Sequence, residues 1–193
     1  SWMACWVRYN TVGNPKVGGG AYDWQYDTVF NDIAEVGGRI LTVGTFEQAR
    51  LGNLALAAGF DPDGNVLWAA DYDRLDQEFF STDLNVLRAR GDTLVAGGMI
   101  DTTAGGYQPW MLRLDKGGPD PVWQKAYEVV ADPHLPSAFH SLLLDAPNRV
   151  IAGGSIVRRI PEIPVDCIPF YAVSQTEPGL VPKGTHAIRF SVR

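Results

Sequence analysis

Residues 105–127 read GGYQPWMLRLDKGGPDPVWQKAY. Two segments of strand-forming residues, 110–115 and 121–127, flank a turn rich in Gly, Pro and Asp. Glycine and proline are typical turn residues, so this stretch predicts a β-hairpin with conspicuous aromatic residues. The same pattern occurs earlier in the chain, which makes the hairpin one unit of an internal repeat.

A glycine landmark recurs through the chain. Each copy consists of an apolar run, a polar turn and a second apolar run that ends in Gly44, Gly97 or Gly153. The first interval is 53 residues and the second is 56 residues. Because glycine has no side chain, we expect these positions to allow a neighbouring backbone to approach closely.

Two further landmarks recur at intervals similar to those of the glycines. One is a short strand-like segment, found at 6–10, 57–61 and 111–115. The other is an aromatic residue four positions before a tyrosine, and it gives the pairs Tyr22 and Tyr26, Trp68 and Tyr72, and Trp123 and Tyr127. We expect most of these aromatic side chains to pack between sheets rather than to bind a ligand.

Four short strands fit each period. No window sustains a helical period with a cap at each end, so the sequence predicts an all-β chain. Turns are predicted at 37–38, 61–65 and 91–92, where Gly or Pro occurs. The predicted strands are 30–36, 39–46, 54–61 and 66–73 in one unit, 84–90, 93–99, 110–115 and 121–128 in the next, 139–145 and 149–157 in a third, and, before all of these, the segment starting at Trp2 and 21–27.

A four-stranded antiparallel unit repeated every ~40 to 55 residues is typical of a β-propeller blade. One such sheet cannot bury both faces alone, so we expect the sheets to stack face to face. The predicted fold class is therefore all-β, with about three β-propeller blades. An ordinary antiparallel sandwich is the alternative that the spacing leaves open.

Three motifs together resemble a known repeat: the stretch at 105–127, GNVLW at 64–68 and AGG at 96–98. Similar units occur in secreted or surface β-propeller proteins of bacteria and archaea, and the resemblance extends over residues 1–157. It implies a propeller of about seven or eight blades, related in shape to quinoprotein-like propellers. It includes no catalytic motif, so it implies no functional residue.

The period breaks after Val157. Residues 158–184 are rich in proline and contain Cys167, whereas 186–190 is similar to 110–114. We therefore predict one partial propeller over residues 1–193, with 158–184 inserted between strands two and three of the last blade and 186–192 as strand three. Open edges and apolar faces favour association, so we expect missing blades or another chain to complete the ring.

Composition narrows the classes of partner and compartment. The net charge of −6, without a basic run, argues against nucleic acid, and no apolar stretch approaches the ~18 residues that span a membrane. The first residues, 1–3, include no signal peptide or initiator Met and are similar to the start of a processed product. Cys5 and Cys167 form either one disulfide in an oxidising compartment or two buried thiols.

Two patterns offer metal ligands. Residues 61–65, DPDGN, have the acidic spacing of a calcium loop, but Tyr72 occupies position twelve, where that loop needs a bidentate acid. His134, His140 and His186 are too separated to form the pairs common in zinc sites, and we expect His140 to lie nearest the propeller axis. We therefore predict a hairpin turn at 61–65 and neither a metal nor a cofactor.

Catalytic residues stay unknown from the sequence. No serine-hydrolase elbow, P-loop or dinucleotide fingerprint occurs, and GGG at 18–20 is predicted as a turn before strand four. Asp83, Asp101 and Asp145 are candidates for glycosidase carboxylates, but such a pair is chosen by geometry.

The leading hypothesis is a non-enzymatic structural or interaction module of a secreted or cell-surface assembly. It would lie at the cell surface, outside the cell or in the periplasm, and use its rim, its funnel and residues 158–184 as contact surfaces. The alternatives are a propeller enzyme (a glycan-active hydrolase or lyase, or a quinone-dependent dehydrogenase) and a lectin that binds glycan.

Overall fold

Alternating and continuous apolar runs, interrupted by glycine turns, form the strands of this chain. The structure is a computed structural model. It describes residues 3–9, 15–22, 27–48, 52–72, 81–102, 106–114, 117–127, 137–146, 149–160 and 163–175. These residues form thirteen strands and no helix, so nothing in them provides a helix long and apolar enough to cross a membrane.

Thirteen strands follow one another along the described part of the chain. The bounds are β1 (Ala4–Tyr9), β2 (Pro15–Tyr22), β3 (Asp27–Val36), β4 (Arg39–Gln48), β5 (Gly52–Phe60), β6 (Val66–Tyr72), β7 (Thr82–Arg90), β8 (Thr93–Thr102), β9 (Gly106–Leu114), β10 (Pro121–Ala126), β11 (Ser137–Ala146), β12 (Arg149–Ile160) and β13 (Ile163–Gln175). The predicted strands of the two full units lie within or close to β3–β10, so this part of the prediction is confirmed.

Consecutive strands pair antiparallel in four sheets. Sheet I contains β1 and β2, sheet II runs β3-β4-β5-β6, sheet III runs β7-β8-β9-β10, and sheet IV runs β11-β12-β13. The predicted turns are confirmed by positive φ values at Gly37, Gly38, Gly64 and Gly91. An L side chain rarely adopts such a conformation, so glycine sets these turns.

The sheets pack face to face in chain order. Trp6 of sheet I packs on Ile40 and Phe60 of sheet II. Sheets II and III share a core that contains Tyr72, Trp110 and many aliphatic side chains. A further core joins Val95, Met111 and Tyr127 of sheet III to Phe139 and Leu142 of sheet IV. The predicted stacking of four-stranded antiparallel sheets is thereby confirmed, whereas the ring itself stays a prediction.

The predicted aromatic packing is confirmed for two of the three pairs. Tyr72 and Tyr127 are buried between sheets, and Trp68 and Trp123 pack against the same cores. These residues therefore contribute to the inter-sheet core rather than to a surface for sugar stacking.

The position of β2 differs from the prediction. The predicted strand 21–27 is wrong because β2 covers Pro15–Tyr22, so the three glycines at 18–20 lie in the strand and not in a turn. An added Cβ at Gly20 would lie 2.5 Å from Trp6 Nε1 and 2.8 Å from Phe60 Cδ1. The absence of a side chain at Gly20 leaves room for these two aromatic rings. The sequence alone does not distinguish a glycine of this kind from a glycine in a turn.

The position of β2 also changes which tyrosine is equivalent to Tyr72. Tyr22 pairs with Ala4 as Tyr72 pairs with Ala55. Tyr22, rather than Tyr26, is therefore the backbone equivalent of Tyr72. Tyr26 itself lies outside the described residues.

A β-bulge in the first strand of sheets II, III and IV shows which glycines are equivalent. The pairing register shifts between Phe30 and Asp32 in sheet II, between Leu84 and Val86 in sheet III, and between Phe139 and Ser141 in sheet IV. The residues opposite Phe30, Leu84 and Phe139 are Gly44, Gly98 and Gly154. The predicted equivalence of Gly44 with Gly97 and Gly153 is therefore wrong by one residue.

The close backbone approach occurs at these corrected positions. An added Cβ would overlap the carbonyl oxygen of Val29 at Gly44 and that of Asp83 at Gly98. At Gly97, by contrast, it would meet side chains of Leu142 and Phe139 at 3.4 Å. The prediction of close backbone approach is thus confirmed for Gly44. It is wrong for Gly97, because Gly98 makes this contact instead.

The segment 158–184 contains a strand. β13 pairs with β12 along its length, from Arg149 opposite Gln175 to Ile160 opposite Ile163. The placement of 158–184 as an insertion between strands two and three of the last blade stays a prediction. Pro164 and Pro169 suggested a break, but an edge strand such as β13 tolerates proline. The predicted strand 186–192 lies outside the described residues.

Candidate functional site

Each bulge places a polar residue in the first strand of its sheet. These residues are Asn31 in β3, Asn85 in β7 and His140 in β11, and each lies at the register shift of its strand. A bulge redirects one side chain out of the regular alternation of the strand. The three bulges therefore form a repeated line of polar side chains, here called the bulge line.

The bulge line bonds one sheet to the next. Asn31 Nδ2 donates a hydrogen bond of 2.8 Å to the carbonyl oxygen of Leu84, the residue before the bulge in sheet III. Asn85 Nδ2 makes the equivalent bond of 3.4 Å to the carbonyl oxygen of Phe139 in sheet IV. His140 differs, because its Nε2 lies 2.7 Å from Ser155 Oγ of its own sheet.

Asp32 adds a charged contact beside the first bulge. Its Oδ2 accepts hydrogen bonds from the backbone N of Leu87, at 2.9 Å, and from Arg88 Nη1, at 2.6 Å. Both partners belong to sheet III, whereas Asp32 belongs to sheet II. The first strands of these two sheets are therefore fixed to each other by side chains as well as by the apolar core.

A polar cleft opens between sheets II and III next to the bulge line. Its volume is about 340 Å³. Three of its residues are acidic and three are asparagines, so an uncharged or cationic polar group would suit it better than an anion. The lining residues are Asp27, Val29, Asn31, Thr45, Glu47, Asn53, Asp83 and Asn85.

Asp83 is the buried acid of the cleft. It is 6% exposed, and Thr45 Oγ1 donates a hydrogen bond of 2.9 Å to its Oδ1. Burial raises the pKa of Asp83, and hydrogen bonds from Thr45 and Asn53 partly offset the increase. Because Thr45 and Asn53 belong to sheet II, the carboxyl group connects two sheets.

The residue before Asp83 makes a second bridge. Thr82 Oγ1 donates to the carbonyl oxygen of Tyr72, at 2.7 Å, and accepts from the backbone N of Ala55, at 2.8 Å. Thr82 is fully buried, so these bonds satisfy backbone groups that water cannot reach. Residues 82–83 thus act as a hydrogen-bonded link between sheets II and III.

The raised pKa of Asp83 predicts a pH dependence of stability. The folded chain holds this proton over a range in which the unfolded chain has released it, so stability falls as pH rises upward from the ordinary value of 3.8. Asp83→Asn removes this step, since an amide does not ionise. We expect the melting temperature of Asp83→Asn minus that of the wild type to increase from pH 3.5 to pH 7, on the order of a few degrees.

Thermal unfolding followed by circular dichroism at several pH values measures this difference. Asp63→Asn, in an exposed turn, is the matched control and should show no comparable trend. A constant difference between Asp83→Asn and the wild type across this range would contradict the prediction.

Tyr72 makes a further contact between sheets II and III. Its phenol donates a hydrogen bond of 2.6 Å to the carbonyl oxygen of Pro119, in the turn between β9 and β10. Burial, followed by the charges of Asp120 and Asp71, raises the pKa of Tyr72 above its ordinary value. The phenol therefore stays protonated and available as a donor.

Tyr72→Phe is expected to lower the free energy of unfolding by about 1 kcal/mol. The ring remains in the core, but the carbonyl oxygen of Pro119 loses its partner. Urea unfolding followed by circular dichroism measures the change. An unchanged midpoint would mean that water replaces the phenol at no cost.

The other predicted carboxylates lie elsewhere. Asp145 forms an ion pair with Arg149 across the β11–β12 connection, and this contact raises the pKa of the guanidinium. Asp101 lies near the end of β8, where its backbone N donates to the carbonyl oxygen of Ser81. Neither residue lines the cleft that contains Asp83, so the three acids do not form one site.

The predicted hairpin turn at 61–65 is confirmed. Asp61 Oδ1 accepts from the backbone N of Asp63 and of Asn65, at 2.9 and 2.8 Å, and its Oδ2 accepts from Asn65 Nδ2 at 2.7 Å. The hydrogen bond from the Asn65 side chain is the main reason that the pKa of Asp61 is lowered. The carboxylate therefore stabilises the turn.

Some of the remaining candidates lie within the described residues and others lie outside them. Cys5 has a free, exposed thiol, so neither the disulfide nor the buried-thiol prediction holds for it. His140 lies on the bulge line, whereas His134 and His186 lie outside the described residues, as does the side chain of Cys167. Within the described ranges, no three His, Cys, Asp or Glu residues are placed to hold a metal ion.

Sequence reasoning missed Asn31 and Asn85. Each lies the same number of residues before the glycine opposite its bulge, Gly44 or Gly98. The two asparagines are 54 residues apart. That interval, matched to the one between Gly44 and Gly98, is the signal that identifies them. Comparison of the sequence with protein-family models and with curated proteins gives no match.

Proposed function

We propose that this chain is a non-enzymatic structural or interaction module that contributes β-propeller blades to a secreted or cell-surface assembly. One observation carries the proposal: the stacked sheets bury their faces against each other, but both ends of the stack keep apolar side chains exposed. Val7 of sheet I is 53% exposed and Leu143 of sheet IV is 56% exposed. Met3, two residues before Cys5 and four before Val7, is also 58% exposed, and exposed apolar patches are typical of sites of protein association.

The polar groups of the cleft support the same function. Asp83 and Asn31 each bond across the boundary between sheets II and III. Side chains committed to such bonds stabilise the arrangement of the sheets, which is a structural role. The secreted or surface location rests on the resemblance of residues 1–157 to surface propeller repeats.

The native particle provides the test. We expect it to have a mass well above the 21.1 kDa of this chain and to contain the chain in a fixed ratio to its neighbours. Native mass spectrometry of the particle, purified without overexpression, measures both quantities. A native particle that consists of one folded chain of 21.1 kDa would contradict the proposal.

A second candidate function is glycan binding or hydrolysis at the cleft. The observation that favours it is the raised pKa of Asp83 beside Asp27 and Glu47, since a glycosidase uses a carboxyl group that stays protonated. Oligosaccharide arrays and assays of released reducing ends test this function. Activity that is lost in Asp83→Asn and retained in Asp101→Asn would favour it over the structural role.

A further inference from the structure

The third strands of sheets I, II and III can be aligned by their pairing. Ala4 lies opposite Tyr22, Ala55 lies opposite Tyr72, and the backbone N of Tyr127 bonds to the carbonyl oxygen of Pro109. β1, β5 and β9 therefore have the same register relative to their fourth strands. Because side chains alternate along a strand, each of these strands presents one row to the preceding sheet and one row to the following sheet.

The row that faces the preceding sheet is buried in sheets II and III. In β5 it contains Leu56, Ala58 and Phe60, and in β9 it contains Trp110, Leu112 and Leu114, all at most 1% exposed. The equivalent row of sheet I contains Met3, Cys5 and Val7, and we name it the trailing face. Met3 is 58% exposed, and Cys5 and Val7 are exposed as well.

The opposite end of the stack has a complementary surface. Ile151 of β12 is equivalent to Leu41 and Val95, which are buried against the following sheet. Leu143 of β11 lies on the same side of sheet IV and is 56% exposed. We name Leu143 and Ile151 the leading face.

We propose that a second copy of this chain covers these surfaces, with the leading face of one copy packed on the trailing face of the other. The inference rests on the proposed structural function and names its partner. Between sheets II and III, Leu41, an equivalent of the leading face, belongs to one core with Trp110 and Leu112, equivalents of the trailing face. The contact between copies would therefore repeat the sheet-to-sheet packing found within the chain.

The bulge line favours sheet I of another copy over a complete blade. Asn31 and Asn85 both bond to a carbonyl oxygen in the first strand of the following sheet. His140 instead bonds through its Nε2 to Ser155 within sheet IV. In the part of the chain that the structure describes, sheet I consists of strands equivalent to three and four, so it offers no first-strand carbonyl.

The contact is heterologous because two different surfaces meet. After the first contact, the pair of copies keeps one free leading face and one free trailing face, so copies either close a ring or extend as a filament. A contact of this kind has a specific signature: two variants that each lack a different face can still bind each other once.

Sedimentation velocity of purified full-length chains tests the proposal. Val7→Asp removes the trailing face and Leu143→Asp removes the leading face, each by placing a charge in an apolar contact. We expect either variant alone to associate at least about 100-fold more weakly than the wild type. An equimolar mixture of the two variants is expected to form a complex of two chains. Val122→Asp, at an exposed position of β10, is the control and should associate like the wild type.

Labelling of Cys5 gives a second measurement that needs no variant. Because the chain also contains Cys167, the maleimide label on Cys5 is measured on its own peptide by mass spectrometry, and we expect its rate of formation to fall as protein concentration rises through the association range. Circular dichroism verifies that Val7→Asp and Leu143→Asp are folded.

Several results would overturn the proposal. A wild-type chain that stays monomeric with constant Cys5 reactivity excludes it, and so does a mixture of the two variants that fails to associate. An association lost in Val7→Asp but kept in Leu143→Asp would indicate a symmetric contact instead. A native particle with one copy of this chain among other proteins would overturn this inference and leave the proposed function standing.

Discussion

Trp110→Ala is expected to lower the free energy of unfolding by about 3–5 kcal/mol. Trp110 is 1% exposed in the core between sheets II and III, where it belongs to the same cluster as Tyr72 and Leu41. Removal of the indole takes a large apolar area out of contact and leaves a cavity between two sheets, each of which is held together by its own backbone pairing. The rigid sheets limit the collapse that would otherwise fill this space.

Urea unfolding followed by far-ultraviolet circular dichroism measures the effect. Trp123→Ala is the matched control, because Trp123 is only partly buried against the core between sheets III and IV. We expect a loss of about 1–2 kcal/mol for the control. Equal losses for the two variants would mean that the core between sheets II and III does not dominate stability. If Trp110→Ala fails to fold, Trp110→Phe should retain the fold with a smaller loss.

Gly98→Ala is expected to destabilise the chain by about 4 kcal/mol or more, or to prevent folding. Its Cβ would overlap the backbone carbonyl oxygen of Asp83, and a backbone atom in a paired strand cannot rotate away as a side chain can. The bulge must therefore open, and this movement displaces the carboxyl group that Thr45 binds.

The neighbouring position supplies the control. Gly97→Ala brings a methyl group into ordinary contact with Leu142 and Phe139 at 3.4 Å, so we expect a change within about 1 kcal/mol. Gly44→Ala should reproduce the large effect in sheet II, where the overlap is with Val29. Yield in the soluble fraction and urea unfolding of all three variants measure the contrast. Comparable losses of stability in Gly97→Ala and Gly98→Ala would contradict the equivalence of Gly98, rather than Gly97, with Gly44.

The local chemistry of the turns made much of the fold predictable. Glycine at 37, 64 and 91 has a positive φ in each case, which few other residues adopt, so the hairpins of sheets II and III could be located closely. The bulge could not be located to one residue, because two consecutive glycines at 97–98 satisfy the same pattern. Only the backbone pairing distinguishes a glycine that meets a carbonyl from one that meets side chains.

Two strands contain residues that are typical of breaks in structure. Glycine in β2 and proline in β13 were interpreted as breaks in structure, but each is acceptable in a strand for a tertiary reason. Gly20 admits Trp6 and Phe60, and the prolines lie on an edge strand. Packing and edge position are properties of the assembled sheets, which a local pattern does not contain.

The candidate site was predictable only in part. Asp83 could be selected as an acid, but its neighbours in the cleft come from β3, β4 and β5 and meet it only when sheets II and III stack. Asparagine at 31 and 85 is typical of turns and loops, so its role inside a strand depends on the bulge. The cleft is therefore a product of the repeat rather than of one motif.

The bulge line also bears on how such a chain lengthens in evolution. Asn31 and Asn85 bond to carbonyl oxygens of the main chain, and a main-chain acceptor is present whatever side chain the acceptor residue has. A duplicated unit therefore finds its hydrogen-bond partner without a compensating substitution in its neighbour. We therefore expect gene duplication to add or remove such units with few coupled changes at this hydrogen bond.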